Sequence, residues 1–249
     1  MKANFGIDAP ELVKTFFMVS AATSIASLCL WRFATPHWEW ASWVAGILLV
    51  PAVYSLGMFV LMVWESLVAK INSRDVILDQ LHWIGTETVL DVGCGRGLML
   101  VGAAGKLTSG RAVGVDIWLD EDQSSNTKSA PLLNAQIEGV ADRVAVETAD
   151  MRNLPFGDCE FDVVVSSWAV HNLEAKKDRL AALREIYRVL RPEGTLLLTD
   201  IVNRREYAAA LKELGMRSVE IFIESEIKDW LLSVVSFGAY QPSTIIAKK

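Results

Sequence analysis

The chain has 249 residues, 24 Lys and Arg against 30 Asp and Glu, and a net charge of -6. That length holds one large α/β domain with something left over, and the acidic balance gives no electrostatic case for binding nucleic acid. Hydrophobic residues reach 52%, with the excess gathered at the N-terminus, while Cys29, Cys94 and Cys159 are too few and too scattered for a disulfide framework or a zinc site.

Residues 1–64 read as a membrane anchor of two transmembrane helices, about 12–32 and 40–64. From Trp40 to Trp64 no residue is charged, and Glu39 and Glu65 bracket the stretch. At about 1.5 Å per residue it extends roughly 37 Å, enough for a hydrocarbon core of about 30 Å with some tilt. Trp38, Trp40 and Trp43 at one end and Trp64 at the other suit interfacial anchors, and Pro51 should kink the helix.

The stretch 15–31 is shorter and interrupted by Ser20, Thr23, Ser24 and Ser27. By itself it also fits a signal peptide, with 22–26 as a loose cleavage region. Its small and hydroxyl residues equally suit a face packed against Ala41, Ala45 and Gly46 of the second helix. The link 33–39, containing Pro36, would then join two antiparallel spans. Lys2, Lys14, Lys70 and Arg74 share one side of such a hairpin and Arg32 lies on the other, in line with positive-inside bias.

Residues 65–84 alternate apolar and charged positions at helical spacing, so that Leu67, Ile71, Ile77, Leu78 and Leu81 can share a broad face. The stretch reads as an amphipathic connector, partly on the membrane surface and partly against the domain at 85–249. Its Lys70 and Arg74, with Arg204 and Arg205, are candidates to meet anionic headgroups, or are simply a solvated face.

The most informative string follows: Val89-Leu90-Asp91-Val92-Gly93-Cys94-Gly95-Arg96-Gly97. It reads as a buried strand running into a glycine-rich turn, where backbone must come close to a ligand. A dinucleotide loop, G-x-G-x-x-G, would need a third glycine at position 98, which is Leu98. Beyond the loop, strand-like segments (88–92, 112–116, 144–148, 161–166, 195–200, 218–223, 244–247) alternate with helix-like ones (98–106, 131–138, 176–190, 205–214). The string 191–194, Arg-Pro-Glu-Gly, reads as a turn that stops a helix. Such alternation predicts an α/β fold with a doubly wound, seven-stranded, mostly parallel sheet.

With Asp91 ending the strand before Gly93-x-Gly95-x-Gly97, the chain resembles the class I S-adenosylmethionine (SAM)-dependent methyltransferases, small-molecule, methyltransferase-11-like. The resemblance covers roughly residues 75–249. It implies a Rossmann-like methyltransferase fold and S-adenosyl-L-methionine as cofactor, and a cofactor made in the cytosol sets a case against signal-peptide cleavage. It also implies that the loop, with Gly93, Cys94, Gly95 and Gly97, lets backbone N–H groups approach the methionine portion. Asp91 would orient the amino group there. Asp116 would accept from the ribose hydroxyls and Ile117 would pack on adenine. Asp150 and Met151 would meet the adenine edge, and Ser166 closes the strand beside the site. Each of these acids could instead cap a loop, and Cys94 reads as a small residue that fits rather than a nucleophile.

Methyl transfer needs an acceptor held in line, a dry site and, for some acceptors, a base. His171, in Ser166-Ser167-Trp168-Ala169-Val170-His171-Asn172, is the first candidate for base or acceptor-orienting group, since histidine titrates near neutrality. A histidine packed structurally at a helix start fits the same string. Asp200, closing the fifth strand, is the second candidate, and Asn172 could donate to a substrate oxygen. The insert 118–130 reads as a lid or a loop at the site's rim. The apolar segment 227–237 would cover a substrate, touch the membrane or pack in the core.

These features predict an integral membrane enzyme, its catalytic domain on the cytosolic face, methylating a lipophilic or membrane-associated small molecule. The alternative is a non-catalytic SAM-binding membrane sensor or assembly factor.

Overall fold

The computed structural model describes residues 2–119, 123–238 and 240–249, without the side chains of Lys228 and Asp229. Asp120, Glu121 and Asp122 of the predicted insert therefore lie outside the described residues. The chain divides into two compact units.

The first unit takes Gly6–Lys70 together with Gln123 and Ser124. Helix α1 (Pro10–Cys29) continues through a π-helical turn, Leu30–Ala34. Helix α2 (Trp40–Trp64) carries Pro51 inside and ends in a second π-helical turn, Glu65–Ala69. The helices run antiparallel: Ser20 Oγ donates to Ala52 O at 3.0 Å and Ser27 Oγ to Ala45 O at 2.8 Å. The buried seam is made of small side chains, with Val13, Ser20 and Ser27 facing Ala41, Ala45, Ala52 and Ser55. Such residues let two backbones approach, so dispersion contacts and hydroxyl bonds do the holding. The large apolar side chains point away: Trp43, Ile47, Val50, Val53 and Phe33 are each about two-thirds exposed or more.

Leu67 of the connector is half exposed. One prediction for the connector is corrected. Lys70 is not offered to headgroups, because its ammonium is buried and donates to Gly6 O at 2.8 Å and Asp8 Oδ2 at 3.0 Å.

The second unit takes residues 2–5, 71–119 and 125–249. Its seven strands are β1 (Thr88–Val92), β2 (Arg111–Asp116), β3 (Val144–Thr148), β4 (Phe161–Ser167), β5 (Leu190–Asp200), β6 (Ser218–Phe222) and β7 (Ser243–Lys248). They lie in the order β3-β2-β1-β4-β5-β7-β6, all parallel except β7, which is antiparallel to both β5 and β6. Helices α3 (Lys70–Leu78), α4 (Leu98–Lys106), α5 (Ser129–Ile137), α6 (Lys176–Val189), α7 (Arg204–Glu213) and α8 (Glu226–Val235) complete the unit.

Strand alternation builds a core on each face. Leu90, Val164, Leu196 and Leu198 join one with Ile186, Leu183 and Tyr207, whereas Val89, Val163, Val165 and Leu197 join the other with Leu78, Leu100 and Ala103. Each such fully buried aliphatic contributes about 1.5–3 kcal/mol. The same period of two sends Asp91 to the face of Val89, beneath α4. Arg74, on α3, lies over the Phe5 ring at 5.9 Å and bonds Asp75 at 2.8 Å, so it too is engaged within the unit. The string 191–194 is a bulge at the start of β5: register jumps from Phe161↔Leu190 to Val163↔Thr195, with Glu193 left-handed at φ 65.

Candidate functional site

Carboxyl ends of the parallel strands define one edge of the sheet, and the ligand crevice of such sheets lies outside it. After Val92 the chain turns through Gly93, Gly95 and Gly97, all with positive φ (72, 48 and 83). At Gly93 the requirement is also steric, since an added Cβ would sit 2.3 Å from Ala169 Cβ and 3.4 Å from Met151 Cε. Met151 and Ala169 are thereby wall residues of the loop.

The loop's N–H groups serve the protein itself. Gly93 and Cys94 donate to Val115 O at 2.8 and 3.0 Å, and Gly95 donates to Asp116 Oδ2 at 2.8 Å. What this part of the turn offers a ligand is room rather than donors, a correction to the expectation of backbone N–H binding. Cys94 is 6% exposed, and burial beside Asp91 and Asp116 pushes its thiol well above the usual range, which removes it as a nucleophile.

Asp91 is 1% exposed and its Oδ2 has no hydrogen-bond partner. Burial pushes its carboxyl up to about 8, against a smaller downward pull from the Leu100 N–H. A buried acid with an orphaned oxygen fits a cationic group such as an amino acid's ammonium, which would restore the charged form. The residues present therefore fit the implied cofactor at its methionine end.

Asp116 is more occupied than the resemblance implies. Oδ1 accepts from Trp118 N–H at 2.7 Å and from Asn126 Nδ2 at 3.3 Å, while Oδ2 takes Gly95 N–H. An ionised carboxylate offers about four lone-pair positions, so one site stays open for a ribose hydroxyl. Ile117 beside it is half exposed and available to an aromatic ring. The start and end of the insert are tied down: Trp118 Nε1 donates to Thr148 Oγ1 at 2.8 Å, and Arg96 reaches Ser125 O at 2.7 Å.

Two predicted residues are placed differently. Ser166 is fully buried and donates to Val92 O at 2.8 Å, pinning β4 to β1 instead of facing a ligand. Asp150 forms a two-pronged ion pair with Arg152, whose Nε lies 3.0 Å from both carboxylate oxygens and whose Nη2 lies 2.6 Å from Oδ2. Those bonds hold its carboxyl below the usual range.

The first and second catalytic candidates turn out to be one unit. His171 Nδ1 lies 2.6 Å from Asp200 Oδ1, and His171 N–H donates to Asp200 Oδ2 at 3.1 Å. Asp200 is 3% exposed at the end of β5 and also accepts Ile201 N–H at 2.8 Å. With Nδ1 donating to the carboxylate, Nε2 is the basic nitrogen, the arrangement a proton acceptor needs. Asn172, next in the same single-turn helix Val170–Asn172, is exposed.

Sequence reasoning missed Asn126 and Asn134. Asn134, 2% exposed, donates to Arg96 O and Asn4 O, both at 2.9 Å, and so braces the loop from behind. Asn134 has no local signal, because its partner Asn4 lies 130 residues away, whereas Asn126 bonds Asp116 and Leu119 within ten residues.

Residues 90–198 match a methyltransferase domain family. The chain is 37% identical over 128 residues to methyltransferase GfsG of Streptomyces halstedii, matching 51% of this chain and 42% of that protein. It is 31% identical over 140 residues to a sterol 4-C-methyltransferase, strm-1, of Caenorhabditis elegans, matching 55% and 38%. The match thus spans about two-fifths of the length of these relatives. A SAM-dependent methyltransferase structure from Aquifex aeolicus superposes with a TM-score of 0.55 at 18% identity, covering 72% of this chain and 90% of that one.

Proposed function

From the premise that the globular unit is a class I SAM-dependent methyltransferase domain, we propose a membrane-anchored enzyme that methylates a lipophilic small molecule. The observation that carries the catalytic part is the His171–Asp200 pair, held at the sheet edge where the glycine turn and Asp91 also lie. A carboxylate beside an imidazole at that edge is the arrangement a general base uses, and it favours catalysis over cofactor binding alone.

When bound, SAM supplies an electrophilic methyl group on a sulfonium sulfur. Asp91 would hold the cofactor's ammonium, Asp116 a ribose hydroxyl, and Ile117 the face of the base. His171 would take the acceptor's proton on Nε2, leaving the acceptor atom free to receive that methyl group. Asp200 stabilises the resulting imidazolium, and Asn172 orients an acceptor oxygen.

The lipophilic part rests on the other unit. Its two helices are long and apolar enough to cross a membrane, yet only 17% and 11% of their most apolar windows are buried. A core helix of a soluble protein would be covered. The anchor reading takes 1–64 as two spans, 65–84 as connector and 85–249 as the catalytic domain, facing the cytosol by the distribution of Lys and Arg. A relative named for sterol methylation favours the same acceptor class.

The test is incubation of detergent-solubilised full-length protein with methyl-deuterated SAM and an organic extract of membranes. A deuterated product in the organic phase is expected. Label confined to water-soluble products would overturn the acceptor class, and SAM binding without any labelled product would overturn catalysis.

A further inference from the structure

One face of α8 is explained neither by the core nor by the cofactor chemistry. On α8 the side chains of Ile227, Trp230, Leu231 and Val234 are 74%, 63%, 49% and 54% exposed. They follow the i, i+3, i+4, i+7 spacing of one helix face, while Leu232, pointing the other way, is 7% exposed. Core packing, one sequence expectation for this segment, holds for Leu232 and fails for the four others.

Topology fixes where this face lies. Strand β7 starts at Ser243 opposite Asp200, the last residue of β5, and Phe222 at the end of β6 pairs with Thr244. The segment carrying α8 therefore leaves and rejoins the sheet at the carboxyl edge, the edge of the candidate site. Tyr240, which follows α8, stacks edge-on against Trp168 at 5.8 Å, three residues before His171. Ile117 and Leu119, at the same edge after β2, are also about half exposed.

We propose that α8 is an interfacial helix that lies in the bilayer surface through Ile227, Trp230, Leu231 and Val234, turning the mouth of the methyltransferase site towards the lipid. This rests on the anchor reading. Phe5 and Ile71 both belong to the globular unit, whereas the apolar helices begin at Pro10 and end at Trp64. Links as short as 6–9 and 65–70 tether the domain to the apolar helices. A bilayer is thus the apolar phase always at hand, and a Trp-bearing amphipathic face is the kind that partitions into its interface. An acceptor dissolved in lipid would then reach His171 without crossing water.

The experiment uses the full-length protein in phosphatidylcholine–phosphatidylglycerol nanodiscs with the exposed Cys29 and Cys159 changed to Ser and the buried Cys94 kept. Single cysteines are introduced as Leu231→Cys on α8, Val50→Cys on α2 and Lys212→Cys on the exposed side of α7, each carrying an environment-sensitive dye. The expected result is dye emission at 231 shifted to the blue, insensitive to iodide, and quenched several-fold more by shallow doxyl lipids than at 212. Quenching at 50 by deep doxyl lipids with water-like emission at 231 would overturn the helix proposal alone. Protection at 231 from both iodide and doxyl lipids would overturn it in favour of closure over the site or contact with a second copy. No lipid quenching at 50 would overturn the anchor, and this proposal with it.

Discussion

Asn134 grips the backbone of Asn4 from both sides, accepting its N–H at Oδ1 and donating from Nδ2 to its carbonyl, each at 2.9 Å. A residue that precedes both apolar helices is thus part of the globular unit, as is Phe5 in its core. If those helices span a bilayer, an even number of crossings must separate residues 2–5 from 71–249. We expect epitope tags at the two termini to be digested together, or protected together, when protease is added to sealed oriented vesicles. Digestion of one tag alone would mean a single crossing.

The His171–Asp200 pair makes a graded prediction. His171→Ala is expected to lower the labelled-product rate by about 10²- to 10⁴-fold, the range for a positioned base, with SAM affinity unchanged. Asp200→Asn keeps the shape but not the charge that stabilises the imidazolium, so its kcat should fall by an intermediate amount. A purely structural histidine would instead give equal losses of stability and rate in both variants, with an unaltered pH profile.

Asp91 predicts a pH dependence with a definite sign. Its carboxyl stands at about 8 in the folded protein against 3.8 for the unperturbed group, because burial disfavours the charge. Between those values the native state holds a proton that the unfolded chain has released, so stability without ligand falls as pH rises and levels off above about 8. SAM binding near pH 7 should then expel a proton. Calorimetry in buffers of different ionisation enthalpy would detect it in the wild type and not in Asp91→Asn.

Gly93→Ala meets two separate penalties. A left-handed φ of 72 costs a side-chain-bearing residue about 1–2 kcal/mol. The clash at 2.3 Å with Ala169 Cβ adds about 1–3 kcal/mol. Adding Ala169→Gly removes the second penalty only, so the double variant should recover part of the lost melting temperature and SAM affinity. Additive losses would mean that the two residues do not meet.

The amino-acid sequence determined what depends on neighbours along the chain. Strand-like runs placed β1 and β3 at their observed residues, and the uncharged run between Glu39 and Glu65 coincided with α2. The glycine spacing marked the turn, since each glycine answers a local backbone demand.

Only the tertiary structure decided how the polar groups are matched. Asp150 reads as a lone acid in the sequence and is paired with Arg152 in the fold, and Ser166 is turned to Val92 O. His171 and Asp200 were separate candidates because they stand 29 positions apart in the chain, and the parallel pairing of β4 with β5 makes them neighbours. Asn4 and Asn134 gave no sign at all. A hydrogen bond depends on a few tenths of an ångström between groups that the fold alone brings together, whereas burial of an apolar face is averaged over many residues and survives in the pattern of the chain.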